Sequence, residues 1–312
     1  LGAERLAAVS VDLDTLPHYC RIQGLDESIL DDRARALVSR VAIDRYLELF
    51  DGRPATFFAI GQDLAEPAMA AALKRSHDAR VEIASHSHAH DYRLSRRSAS
   101  EIADDLKAAD AAIEAAVGAR PVGFRAPGYT LSPALLQAVA AQGYRYDSSA
   151  FPAAPYYSAK ALVMGALSVL GRPSKALLDT PRVLFAPRVP YRPDLLAPYS
   201  LGTAPLIELP IAVAPRSRLH FIGTFVTSLP WALVKATYRA LKHDRLLNFE
   251  LHAIDVLDES DGVPAALSRQ QRDLKVPARE KLRRLKEVFG WLWSDGEPVT
   301  LAEASKRLET SL

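Results

Sequence analysis

What most constrains this chain is an alternation that runs through most of its length. Short β-branched or apolar runs are separated by stretches whose apolar residues recur at helical spacing. The runs at 8–11, 55–60, 81–84 and 144–146 read as strands. Between the first two, Leu37, Val38, Val41, Tyr46, Leu47 and Phe50 predict an amphipathic helix over 34–50. The clearest helix begins at Ser98, with Glu101 three residues on to complete a capping box. It carries Ile102, Leu106 and Ile113 on one face and stops at Gly118. Repeated βα units imply an α/β fold with a parallel sheet covered by helices, either open or closed as a barrel. In both, the site lies at the carboxyl ends of the strands. Asp12 and Asp14, His86, Asp147 and His252 each follow a strand-like run, so they could converge at one end.

Composition bounds the rest. A chain of 312 residues with 49% hydrophobic content can bury a full core. Its 39 basic and 37 acidic residues give a net charge of +2, which demands neither nucleic acid nor an anionic membrane as partner. The single cysteine, Cys20, allows no intrachain disulfide and no cysteine-based zinc motif, so any metal site must be built from oxygen and histidine. No run of about 18 apolar residues occurs, so a transmembrane segment is not expected. The chain opens at Leu1 without Met, leaving open an upstream signal or tag; the expected location is cytoplasmic or membrane-peripheral.

Residues 151–215 break the alternation. They hold eleven of the 21 prolines, together with Tyr156, Tyr157, Tyr191 and Tyr199. An apolar helical candidate at 159–170 is followed by Arg172, Lys175, Arg182, Arg188 and Arg192 against only Asp179 and Asp194. This segment reads either as an inserted, locally basic lid on a single domain or as a solvated connecting loop with its own apolar cluster.

The chemistry-bearing residues are ambiguous one at a time. Asp12 and Asp14 sit two apart, so if the strand persists both carboxylates face one side; two turn-forming aspartates would look the same. His86 and His90 are four apart, which on a helical turn puts both imidazoles on one face, while His88 would point elsewhere. Joined with Asp14 they make two nitrogens and one oxygen, a three-ligand set that leaves a zinc position open. Arg125, ahead of a turn through Pro127, Gly128 and Tyr129, could pair with a carboxylate, and the turn's amides could face an oxyanion; a surface arginine on a loop is the plain alternative. Asp147 could orient and charge His252, though each alone is more often a helix cap or a satisfied histidine. His220 lies between apolar neighbours and reads as structural.

Taken in order, Val-Asp-Leu-Asp at 11–14, Ala-Thr-Phe-Phe at 55–58, His86-Ser-x-x-His90, Arg125-x-Pro-Gly-Tyr129, Tyr-Asp-Ser-Ser at 146–149 and Leu-His at 251–252 resemble the NodB-homology polysaccharide deacetylases, carbohydrate esterase family four. The resemblance implies a distorted, incomplete (β/α) barrel and a divalent metal, zinc first with cobalt or nickel as alternatives. It implies Asp14, His86 and His90 as metal ligands, Asp12 as general base and His252 as general acid. Arg125 would hold Asp12, Asp147 would tune His252, and an amide near Gly128 and Tyr129 would receive the oxyanion. Leu13 separates the two aspartates, as in the branch that resembles Asp-x-Asp peptidoglycan deacetylases and lipid-linked aminoarabinose deformylases. Ser148 stands where chitin-type enzymes often carry an aromatic residue, and no tryptophan adjoins His252.

The resulting expectation is a hydrolase that removes an acetyl or formyl group from the nitrogen of an amino sugar, in a cell-envelope polysaccharide or a lipid-linked glycan. Peripheral membrane contact is compatible with that substrate. The alternatives are a hydrolase of small cyclic or linear amides on the same fold and a non-catalytic carbohydrate-binding relative. The sequence leaves the sugar, the acyl group and the oligomeric state open.

Overall fold

The computed structural model describes residues 5–169 and 179–312. Its strands are β1 (Leu6–Asp12), β2 (Ala55–Ala59), β3 (Val81–Ser85), β4 (Gly123–Phe124), β5 (Tyr146–Asp147), β6 (Pro193–Asp194), β7 (Ala197–Leu201), β8 (Ile207–Glu208), β9 (Leu246–His252) and β10 (Glu297–Val299). The main sheet runs β10-β1-β2-β3-β4-β5-β8, with β9 paired to β1, and all its ladders are parallel. It curls into a half-barrel with helices around it, the incomplete (β/α) barrel expected. All seven residues of β1 are buried, as a strand covered on both faces must be.

The open seam lies between the chain after β8 and strand β9, and one polar side chain spans it. Asn248 Nδ2 donates to the carbonyls of Leu209 (3.0 Å) and Pro210 (3.4 Å), while the Ala212 amide donates to the Asn248 carbonyl (3.0 Å). An antiparallel hairpin, β6–β7, stands outside the sheet. Among the described residues no helix is long and apolar enough to cross a membrane.

The helix Ala99–Val117 has the Ser98–Glu101 capping box and ends at Gly118 in the left-handed region, as its sequence predicts. Residues 34–50 are not one helix. A short turn, Asp32–Arg35, is followed by a π-helical turn, Val38–Ala42, and then by Ile43–Phe50. The wider π turn breaks the 3.6-residue period. Leu37, Val38, Tyr46 and Phe50 therefore stay buried while Val41 and Leu47 are only partly covered. The strand expected at 144–146 pairs only at Tyr146–Asp147.

Residues 151–215 are more regular than their prolines suggest. They contain the helix Ala154–Val169, the β6–β7 hairpin and β8, which belongs to the main sheet. The helical candidate at 159–170 falls on that helix except for Leu170, which with Arg172 and Lys175 lies outside the described residues. Two of the basic residues in this segment are tied to neighbouring elements: Arg188 makes a two-pronged pair with Asp244 (2.6 and 2.9 Å), and Arg192 lies 3.6 Å from Glu309.

Gly123 faces Tyr146 across the β4–β5 ladder, and a Cβ there would fall 1.9 Å from the phenol carbon Cζ. The ring cannot swing aside freely, because its hydroxyl donates to Glu82 (2.9 Å). We expect Gly123→Ala to cost about 1–3 kcal/mol of stability through overpacking. Urea denaturation checks this; an unchanged midpoint would contradict the close approach of the two strands.

Candidate active site

Parallel register brings the polar strand ends into one row. Asp12 at the end of β1 is level with Phe58 on β2 and His252 on β9, and Ser85 at the end of β3 is level with Phe124 on β4. Phe124 is level with Asp147 on β5, and Asp147 with Glu208 on β8. Above this row opens a cavity of about 320 Å³ lined by Asp12, Asp14, His86, His90, Gly128, Tyr129 and His252, among others.

Arg125 is fully buried and serves as the hub of the barrel interior. Its Nη1 donates to Asp12 Oδ1 at 2.6 Å, its Nη2 to the hydroxyls of Ser10 (3.0 Å) and Ser148 (2.9 Å), and its Nε to the Ser148 carbonyl (2.9 Å). Its carbon Cζ also lies 4.1 Å from the centre of the Phe58 ring. Asp12 Oδ2 is left facing the cavity, 3.9 Å from His86 Nε2.

Asp14, His86 and His90 form a compact set of buried donors whose atoms lie within 4.8 Å of one another. His86 Nδ1 contacts the Arg125 carbonyl at 2.8 Å, and since that carbonyl can only accept, Nδ1 carries the proton and Nε2 turns its lone pair inward. His90 Nε2 and Asp14 Oδ1 stand 2.6 Å apart, and neither atom has a hydrogen-bond partner beyond the other. Two buried polar atoms this close and otherwise unsatisfied fit a shared cation. Burial alone would raise the Asp14 carboxyl, but the facing His90, His86 and His252 rings outweigh it and hold the group well below the usual carboxylate range. Burial pushes His86 below its ordinary value, keeping it in the neutral form a ligand needs.

The histidine loop is not the helical turn that the four-residue spacing suggested. Ser87 and His90 have φ of 66° and 51°, in the left-handed region that disfavours side chains. The loop is held by its surroundings. Asp105, on the helix Ala99–Val117, accepts from the amides of His88 (2.8 Å) and Ala89 (3.0 Å), and the Ser87 hydroxyl accepts from the His90 amide (3.0 Å). His18 packs edge-on against His90 at 4.7 Å and is itself fixed to Asp63 (2.9 Å).

The partner of His252 differs from the one anticipated. Asp147 accepts from Ser149 (2.6 Å) and is level with Glu208, whose carboxyl is held well above its ordinary value by burial and by Asp147. The carboxylate against His252 Nδ1 is Glu250 Oε1, at 3.1 Å, two residues back on the same strand. Side chains alternate along β9, so Asn248, Glu250 and His252 all face inward while Leu247, Phe249 and Leu251 are fully buried on the other side. Glu250 was the missed residue, and this alternation of polar and apolar residues was the signal for it.

Tyr129 contributes its hydroxyl to this group, donating to Glu250 Oε1 (3.1 Å) and lying 3.0 Å from His252 Nε2. Its own amide donates to the Ala126 carbonyl (3.0 Å), so it is already engaged within the turn. Gly128 has φ 65°, and a Cβ there would strike the Tyr92 ring at 2.6 Å. Burial opposes a charge on His252, but Glu250, with Asp12, Asp14 and Asp255, raises it to about 9.

Residues 43–146, about a third of the chain, match the family model for polysaccharide deacetylase. The match includes His86, His90, Arg125 and Gly128 and stops short of Asp12, Asp14, Glu250 and His252. A solved structure from Mycobacterium smegmatis, described provisionally as a polysaccharide deacetylase, is similar over 100% of this chain and 93% of its own, with 17% identity and a TM-score of 0.63. The fold is that of the polysaccharide deacetylases. Puue allantoinase is also similar, over 99% of this chain and 92% of its own, with 14% identity and a TM-score of 0.56. No curated protein matches this chain.

The pairing of His252 with Glu250 can be tested directly. We expect the wild-type ring to stay protonated through neutral pH. In Glu250→Gln the titration should move down by about 1–3 pH units, because the favourable charge is lost while the opposing burial stays. Nitrogen-15 NMR of labelled histidines reads this, and an unmoved titration would assign the raised pKa to another group.

Proposed function

We propose that this chain is a metal-dependent hydrolase that removes an N-acyl group, acetyl or formyl, from an amino sugar of a cell-envelope polysaccharide or a lipid-linked glycan. The observation that carries the reading is the buried pair His90 Nε2 and Asp14 Oδ1, 2.6 Å apart with no other partner for either atom, beside a carboxylate pinned by Arg125 and a histidine charged by Glu250. A metal-ligating donor set between acid and base groups has an immediate use in amide hydrolysis.

Asp14, His86 and His90 would hold a divalent ion, zinc first and cobalt or nickel next, which when bound supplies Lewis acidity toward the substrate carbonyl and the attacking water. Asp12, oriented by Arg125, takes a proton from the water through Oδ2. An amide near Gly128 donates to the carbonyl oxygen as charge develops on it. His252, kept in the charged form by Glu250, hands a proton to the leaving nitrogen, so that carboxylate and amine are released. Tyr129 steadies both His252 and Glu250 through its hydroxyl.

A second reading, hydrolysis of a small cyclic or linear amide, takes support from the similarity in fold to an allantoinase over nearly the full chain. The two readings part on substrate. Fluorescamine detection of freed amine with N-acetylglucosamine oligomers and with formylated amino sugars, beside chromatographic detection of ring opening in allantoin, which frees no primary amine, tests them together. We expect amine release from the sugars, and a fall of roughly 10²–10⁴ in kcat in Asp12→Asn with metal content unchanged. Turnover of allantoin alone would move the small-amide reading to the front. Binding of sugar without any turnover would make the chain a carbohydrate-binding relative.

A further inference from the structure

One wall of the cavity is built by a part of the chain that the chemistry above leaves unused. Tyr156 and Lys160, one turn apart on the helix Ala154–Val169, line it together with the two aspartates. Tyr156 is wedged against Phe151 (ring centres 5.0 Å apart) and His220 (5.8 Å), and the Lys160 ammonium stands 5.6 Å from the centre of the Tyr156 ring. Among the described residues, Lys160 is the one lysine or arginine that lines the cavity.

This ammonium has no ion-pair or hydrogen-bond partner among the described residues. Asp179 is the carboxylate that acts on it, from beyond ion-pair range, and Asp179 is already engaged by the Tyr199 hydroxyl and the Leu131 amide. Burial without a partner draws the ammonium down to about 8. Holding a half-buried lysine unpaired costs free energy, and sites that accept this cost usually recover it when a ligand brings the missing charge.

We propose that Lys160 is a specificity residue and that the substrate carries an anionic group, a phosphate or a carboxylate, on the sugar whose amide is cut. This rests on the deacylase reading above and narrows its substrate to acidic amino sugars. The anion would pair with Lys160 while the sugar ring lies along Tyr156, leaving the acyl group toward Asp12 and His252. A neutral polymer gains nothing from such a charge, whereas a phosphate-linked or acid-bearing sugar gains a charge-assisted contact.

The test is calorimetric binding to the full protein, so it does not depend on turnover. The probes are N-acetylglucosamine, N-acetylglucosamine 1-phosphate and N-acetylmuramic acid. We expect the wild type to bind at least one acidic sugar roughly tenfold more tightly than the neutral one. That preference should vanish in Lys160→Met and survive in Lys160→Arg. The phosphate and carboxylate arms identify which anion the site takes. Equal binding of neutral and acidic sugars, a preference that persists in Lys160→Met, or no binding of any probe overturns the inference. Amine release from neutral oligomers in the assay above would meanwhile leave the deacylase reading standing.

Discussion

The buried pair between Arg125 and Asp12 is the interaction on which the rest of the site depends. A guanidinium inside a barrel is costly unless its donors are met. Here Asp12, Ser10 and Ser148 meet them, and the fully buried Arg125 joins strands β1, β4 and the chain after β5. The same contacts fix Asp12 in one orientation, with one oxygen spent on Arg125 and the other presented to the cavity. The Arg125 carbonyl also sets the tautomer of His86. One residue thus orients both the carboxylate proposed as the base and a proposed metal ligand.

The barrel interior carries more acid than one arginine can neutralise, and the structure resolves this by sorting the carboxyl groups. Glu208 is kept neutral beside Asp147, away from the cavity. Glu250 is engaged by His252 and Tyr129. Asp14 stays ionised among three imidazoles. Each group's titration follows from its neighbours, and Asp12 and Asp14 are the carboxyl groups that line the cavity. The chemistry proposed for the site uses that sorting: a carboxylate free to accept a proton, a histidine charged to give one, and a donor set of two imidazoles and a carboxylate.

Much of this was legible in the sequence because it depends on local pattern. The helix from Ser98 to Gly118 is written in its caps, and the strand-then-polar-residue pattern at Asp12, His86 and His252 points to one end of a parallel sheet. What was not legible depends on contacts between distant residues or on backbone that breaks a period. The spacing of His86 and His90 suggested a helical turn, but Asp105, seventeen residues beyond His88, holds the loop in left-handed conformations instead. Asp147 looked like the partner of His252, yet β8, hidden in a proline-rich stretch, brings Glu208 beside it, and Glu250 takes the place by strand alternation. Lys160 could not have been singled out, since only the packing of its helix over the cavity gives it a role.

The central claim is that Asp14, His86 and His90 form one metal site. The most direct measurement is elemental analysis of the dialysed protein after loading with zinc, for the wild type beside His86→Ala and Asp14→Ala. The account predicts about one metal ion per chain in the wild type and its loss in both variants. A wild type that takes up no metal, or variants that retain it in full, would contradict the account.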